Sequence, residues 1–83
     1  MDEQNLIDMA NRIGEFFDSM PDRDEALDGV ADHIRRFWEP RMRRRLLESL
    51  DQPNAGGLAM SAIVKEALHK HRAKLTPAPA AVA

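Results

Sequence analysis

The chain of 83 residues contains no cysteine and no tyrosine, and it has a single tryptophan. Without cysteine it can form no disulfide, and it can offer no thiolate to zinc or to an iron–sulfur cluster. It also has no run of about 20 apolar residues, the length that a membrane-spanning helix needs. Its N-terminal segment, MDEQNLIDMANRIG, carries three acidic side chains before the first base, unlike a secretory signal or a transit peptide. We therefore expect a soluble, cytoplasmic protein.

No segment shows the two-residue alternation of a β-strand, whereas apolar residues recur every three or four positions. The helical pattern is interrupted at Pro21, at Pro40 and in DQPNAGG, residues 51–57. This predicts an all-α fold, a small bundle of three to four helices, at about residues 3–19, 23–38, 40–51 and 58–73. Asp22 is predicted to cap the second helix, and Pro40 to end or kink it and to begin the third.

The end of the chain differs in composition from the rest. Its last residues, TPAPAAVA, are rich in proline and alanine and offer little apolar surface to bury. We expect residues 1–75 to form one helical domain and residues 76–83 to be a flexible tail.

The net charge of −2 conceals an uneven distribution of charge along the chain. Residues 1–32 hold ten acidic and two basic side chains, whereas residues 33–83 hold four acidic and ten basic ones. The two halves can neutralise each other within the fold, or they can steer a partner of complementary charge.

Six arginines fall within residues 35–45, in the segment HIRRFWEPRMRRRLL. On a helical wheel Arg41, Arg44 and Arg45 lie opposite the apolar face of the third helix, as a solvated face would. Arg43 falls on the apolar side. Its side chain must therefore snorkel to water, pair with an acid of the first two helices, or meet an external carboxylate or phosphate.

Three aromatic side chains have two possible roles each. Trp38 lies on the apolar side of the second helix, where it can fill the core or anchor a partner, since tryptophan and arginine are enriched at binding hot spots. Phe16 and Phe17 project about 100° apart on one helix, so both cannot face the same small core equally. The candidate partner-binding residues are therefore Phe16, Arg36, Trp38, Arg41 and Arg43.

The sequence offers no pattern of catalytic residues. His69 and His71 stand two residues apart, so on a helix they point in different directions and cannot chelate one metal ion. His33 has no carboxylate or cysteine pattern around it. There is no nucleophile placed with a base and no glycine-rich phosphate loop. We therefore predict no catalytic, cofactor-binding or metal-binding residue in this chain.

The segments MPDRDEAL and GVADHIRRFWEPRMRRRLL resemble the delta subunit of soluble NAD-dependent formate dehydrogenases. The resemblance extends over about residues 5–70 and includes FWEPRMR at 37–43 and GGL at 56–58. It implies a bacterial, cytoplasmic complex whose large catalytic subunit oxidises formate at a molybdenum or tungsten bis-pterin guanine dinucleotide centre. Iron–sulfur clusters then pass electrons to an FMN-containing subunit that reduces NAD.

The resemblance implies that the delta subunit is non-catalytic and supports assembly or stability of the catalytic subunit. An alternative is a transient, chaperone-like adaptor that aids cofactor insertion or maturation. A nucleic-acid-binding helical domain is a third interpretation, but the sequence pI of about 5.9 and the acidic first half disfavour it. The isolated chain is expected to be marginally stable or to self-associate.

Overall fold

A computed structural model describes residues 2–52 and 59–77, and within these ranges the chain forms helices and no strand. This confirms the all-α prediction. The helices are α1 (Glu3–Asp18), α2 (Arg23–Phe37), α3 (Pro40–Asp51), α4 (Ala62–Lys70) and α5 (Arg72–Leu75). None of the helices described is both long and apolar enough to cross a membrane.

The first two helices begin at aspartate caps. The carboxylate of Asp2 accepts a hydrogen bond from the backbone N–H of Gln4 at 3.1 Å, and that of Asp22 accepts one from Glu25 at 3.2 Å. These bonds satisfy N–H groups that have no partner within the helix. The predicted cap at Asp22 is therefore confirmed.

Helix α2 ends before Pro40 instead of continuing through a kink. Trp38 already has an extended backbone, with φ −97° and ψ 136°, and Glu39 has φ −65° and ψ 153°. The proline ring disfavours helical geometry in the preceding residue, which explains the extended Glu39. Pro40 itself then occupies the first turn of α3, where its missing N–H costs nothing.

The predicted fourth helix is divided in two. The backbone leaves helical geometry at His71, with φ −110° and ψ 25°, so that α4 ends at Lys70 and α5 adds one further turn. The predicted start at residue 58, most of the loop before it and residues 78–83 of the predicted tail lie outside the described residues.

The core is formed by one apolar face from each helix. Of the residues that the structure describes, seventeen apolar side chains are buried in it: Leu6, Ile7, Ala10, Ala26, Leu27, Val30, Ala31, Ile34, Trp38, Leu46, Leu47, Met60, Ile63, Val64, Ala67, Leu68 and Leu75. Helices α1 and α4 approach closely at Gly14, where an added Cβ would lie 2.8 Å from Cγ2 of Ile63. Glycine is required there because no larger residue fits between the two helices as they stand.

The chain that enters α4 is fixed to α1 by one side chain. The amide nitrogen of Asn11 donates to the carbonyl of Ala59 at 2.9 Å, and its amide oxygen accepts from the backbone N–H of Ser61 at 2.9 Å. Both polar groups of Asn11 are thus used to hold residues 59–61 against α1.

Candidate functional site

The surface, and not the interior, carries the candidate functional features. Within residues 2–52 and 59–77, no group of three or more histidine, aspartate or glutamate side chains is placed to hold a metal ion. His33 and His69 lie on different helices, and His71 is paired with Asp28. The candidate features are exposed apolar and basic side chains.

Helix α1 exposes large apolar side chains beside the core. Phe16 is 74% exposed and Met9 is 41% exposed, whereas the neighbouring Phe17 is partly buried against the core. The rings of Phe16 and Phe17 meet edge to face, with centroids 5.0 Å apart. The prediction that the two phenylalanines do not share one environment is therefore confirmed.

Helix α2 supplies the other side of the same apolar surface. A groove of about 410 Å³ is lined by Ile13, Phe16 and Phe17 of α1 and by His33 of α2. The ring of His33 lies 4.8 Å, centroid to centroid, from that of Phe37, which is 70% exposed. We call this surface, made of Ile13, Phe16, Phe17, His33 and Phe37, the aromatic groove.

A glycine allows the two sides of the aromatic groove to approach. An added Cβ at Gly29 would lie 2.5 Å from the ring of Phe17, so that ring rests directly against the backbone of α2. Phe17 thus forms the floor of the groove, and Phe16 and Phe37 remain exposed on its edges.

Trp38 lies in the core of the domain. Its side chain is only 5% exposed and belongs to the buried cluster that includes Ile34 and Leu46. Of the two roles considered for Trp38, the structure shows core packing. The exposed aromatic side chain next to it in the sequence is Phe37.

Arg43 points inward, and its guanidinium group donates hydrogen bonds to three backbone carbonyls. The acceptors are Leu75 at 3.2 Å, Arg35 at 3.1 Å and Trp38 at 3.2 Å. These carbonyls lie at the C-terminal ends of α5 and α2, where the helices leave acceptors unsatisfied and carry partial negative charge. Among the described residues no acid pairs with Arg43, and backbone carbonyls are its hydrogen-bond acceptors.

The remaining arginines of α3 lie on its outer surface. Arg41, Arg44 and Arg45, together with Glu48, line a shallow depression of about 240 Å³. Arg45 is 3.8 Å from Glu3 of α1, but Arg41 and Arg44 form no ion pair with any residue that the structure describes. We call Arg41, Arg44 and Arg45 the arginine face.

Several other charges are neutralised within the fold. Arg36 pairs with Asp32 one turn earlier on α2, at 3.1 Å, so its charge is partly compensated. Arg23 pairs with Asp18 at 2.7 Å and with Glu66, which links the start of α2 to α4. Some acidic side chains of residues 1–32 are thus paired with basic side chains of the same domain.

Two further pairs hold the last helices in place. Arg72 donates to Asp51 at 2.8 Å, and this hydrogen bond lowers the pKa of the Asp51 carboxyl. His71 lies 2.6 Å from Asp28, and that contact, with the charge of Lys70, lowers the pKa of Asp28. These pairs connect α5 to α3 and the α4–α5 junction to α2.

The fold and its surface define a class of protein, a small all-helical domain with an exposed aromatic groove and a separate arginine face. The family described as NADH-dependent formate dehydrogenase delta subunit, FdsD, matches residues 5–68. The chain belongs to this family, which confirms the resemblance found in its sequence. No curated protein and no solved structure matches the chain.

Sequence reasoning missed two residues of the aromatic groove. Neither His33 nor Phe37 was predicted to be a partner-binding residue. The two stand four residues apart, the spacing at which helical side chains are neighbours, and this signal was available. Phe37 is exposed because it is the last residue of α2, and the chain then turns so that Trp38 fills the core.

Proposed function

We propose that this chain is a non-catalytic subunit that docks on the formate dehydrogenase complex through its aromatic groove and supports assembly or stability of the catalytic subunit. Membership of the delta-subunit family supports association with such a complex. In this proposal formate oxidation and NAD reduction occur in the other subunits, in the cytoplasm.

The observation that carries this proposal is the exposure of Phe16 and Phe37. Both rings are more than two-thirds exposed although the domain already has a buried core of its own. Exposed phenylalanines that extend an apolar groove form a contiguous apolar patch, and such patches often mark interaction sites. Removing such rings from water on docking would supply the favourable free energy of association.

The cofactors of the complex are also assigned to other subunits in this proposal. The chain has no cysteine to ligate an iron–sulfur cluster. Its described residues do not gather side chains that would hold a metal. The molybdenum or tungsten centre, the iron–sulfur clusters and FMN would therefore lie in the larger partners.

The experiment is complementation of cells that lack the chain, with either the wild type or the double variant Phe16→Ser, Phe37→Ser. We expect the variant to lower the amount of assembled complex, because two exposed apolar contacts are lost, while formate-dependent NADH formation per assembled complex stays unchanged. Asp8→Ser, an exposed polar position on α1, is the control and should behave as wild type.

Two results would contradict the proposal. Normal assembly with reduced turnover per complex would indicate a direct part in catalysis. Recovery of the chain only on enzyme that lacks its cofactors, and never on the mature active complex, would favour the transient adaptor. A constant stoichiometry of the chain in the mature complex is the result expected of a subunit.

A further inference from the structure

The arginine face begins in the first turn of α3, where the helix dipole disfavours positive charge. Helices α1 and α2 begin with an aspartate cap and carry acidic residues in their first turns. Helix α3 has Glu39 at its N-cap position without a side-chain hydrogen bond, it has no acid in its first turn, and Arg41 follows directly on Pro40. A cation in the first turn of a helix opposes the helix dipole, so Arg41 does not stabilise α3 in this way.

The arginines also lie close to one another. Arg41 stands three residues before Arg44 and four before Arg45, so the three side chains are neighbours on one surface of the helix. Like charges at these spacings repel. Glu48 shares their depression but is not within ion-pair distance of any of them. Among the residues that the structure describes, this face has one ion pair, the 3.8 Å contact of Arg45 with Glu3.

Two of the other arginines of the segment have partners that Arg41 and Arg44 lack. Arg43 is bound to three carbonyls, and Arg36 pairs with Asp32. Arg41 and Arg44 are exposed and form no ion pair within the described residues. Their like charges are a local conflict that the described residues do not compensate, and such conflicts are expected at functional sites.

We infer that the arginine face binds a carboxylate-rich surface of a protein subunit of the formate dehydrogenase complex. This inference rests on the function proposed above and adds a second, electrostatic contact to the apolar one. The partner surface would present at least two carboxylates about one helical turn apart, because Arg41 and Arg44 are separated by that distance. Guanidinium groups suit such a surface, since each can bind a carboxylate through two parallel hydrogen bonds.

A protein fits this surface better than a nucleic acid does. The chain carries a net charge of −2, and two acids lie at the arginine face itself, Glu48 in the same depression and Glu3 at 3.8 Å from Arg45. A phosphate backbone needs an extended basic surface, whereas three arginines flanked by acids suit a local acidic patch.

The test measures the affinity of the full chain for the formate dehydrogenase complex purified without it, over a range of salt concentrations. The variants are Arg41→Glu, Arg44→Glu and their double. Lys74→Glu, which reverses an exposed charge on α5, is the matched control. Circular dichroism first establishes that each variant keeps its helicity.

We expect the double reversal to weaken binding on the order of tenfold or more at low salt, and each single reversal to weaken it less. The wild-type affinity should fall as salt rises, because exposed charge pairs are screened beyond about 10 Å at 0.1 M ionic strength. The double variant should show little of this dependence. Lys74→Glu should bind as wild type does.

Different results overturn the two proposals. If the wild type binds and the double reversal binds equally well with the same salt dependence, the arginine face has no part in docking and only this inference fails. If the wild type does not bind the complex at any salt concentration, the proposed function fails and this inference fails with it. Binding of a labelled DNA duplex that the double reversal abolishes would show a nucleic-acid ligand and would also overturn the inference.

Discussion

Arg43 connects the ends of two helices that are distant in the sequence. Its guanidinium group is held by carbonyls of α2 and α5, so one side chain from α3 ties three helices together. Its planar group can donate in several directions at once, which a lysine ammonium on a flexible stem does less well. The residue therefore belongs to the fold of the domain more than to its surface.

We expect Arg43→Ala to lower the free energy of unfolding of the isolated chain by about 2–3 kcal/mol, since three partly shielded carbonyls lose a charged donor. Urea unfolding followed by circular dichroism measures the change. Arg44→Ala, one residue away on the exposed side, should change stability by less than about 0.5 kcal/mol. Equal stability of the two variants would contradict the stabilising role assigned to Arg43.

At the scale of the helices, the close approach of α1 and α4 depends on a single missing Cβ. Gly14 leaves room for the side chains of Ile63 and Val64, which would lie 2.8 Å and 2.9 Å from an added Cβ. These distances are well inside van der Waals contact, so the two helices would have to move apart or their side chains repack.

Gly14→Ala should therefore destabilise the domain by up to about 2 kcal/mol. Overpacking costs about 1–3 kcal/mol, and the better helix propensity of alanine offsets about 1 kcal/mol of it. Thermal or urea unfolding gives the value. In an Ile63→Ala background the same substitution should cost less, because one of the clashing methyl groups is absent. A stabilising Gly14→Ala would show that α1 and α4 are not in close contact at this point.

The helix boundaries were predictable wherever the sequence carries a strong local signal. Pro40 and the cap at Asp22 define helix ends by their own local chemistry, and α3 was predicted at its observed bounds, Pro40–Asp51. No proline or glycine stands at His71, and the break between α4 and α5 there was not predicted. It lies where His71 contacts Asp28 of α2, a tertiary interaction that periodicity does not report.

The candidate surfaces were predictable only in part, for a similar reason. The helical wheel separated Arg43 from Arg41 and Arg44 correctly. It could not name the acceptors of Arg43, since Leu75 reaches it only through the packing of α5. Likewise the helical pattern does not tell which of Phe37 and Trp38 is buried, because the turn before Pro40 decides it.

For the molecule as a whole, two exposed ion pairs make the free energy of unfolding depend on pH in the acid range. The pKa values of Asp51 and Asp28 are lowered below their ordinary value of 3.8 by Arg72 and by His71, respectively. A carboxyl group with a lowered pKa in the folded state contributes stability that is present above its unfolded pKa. That contribution is lost as the pH falls through the folded value.

We therefore expect the urea midpoint of the isolated chain to fall as the pH is lowered from about 6 to about 3, with most of the loss below pH 4. Asp51→Asn should lower the urea midpoint at about pH 6 and make its fall toward about pH 3 smaller. Glu15→Gln, an exposed position on α1, is the control and should keep the wild-type profile. An Asp51→Asn variant with an unchanged pH profile would show that the pair with Arg72 does not contribute.

Within the complex, we expect a partner to cover the aromatic groove. Hydroxyl-radical footprinting of the free chain and of the chain within the formate dehydrogenase complex tests this, because the reactivity of a phenylalanine ring reports its exposure. Phe16 and Phe37 should be oxidised readily in the free chain and protected in the complex. The exposed His69 on α4, outside the groove, serves as the internal reference and should remain reactive. If both phenylalanines are as reactive in the complex as in the free chain, the groove is not the docking surface and the account is wrong.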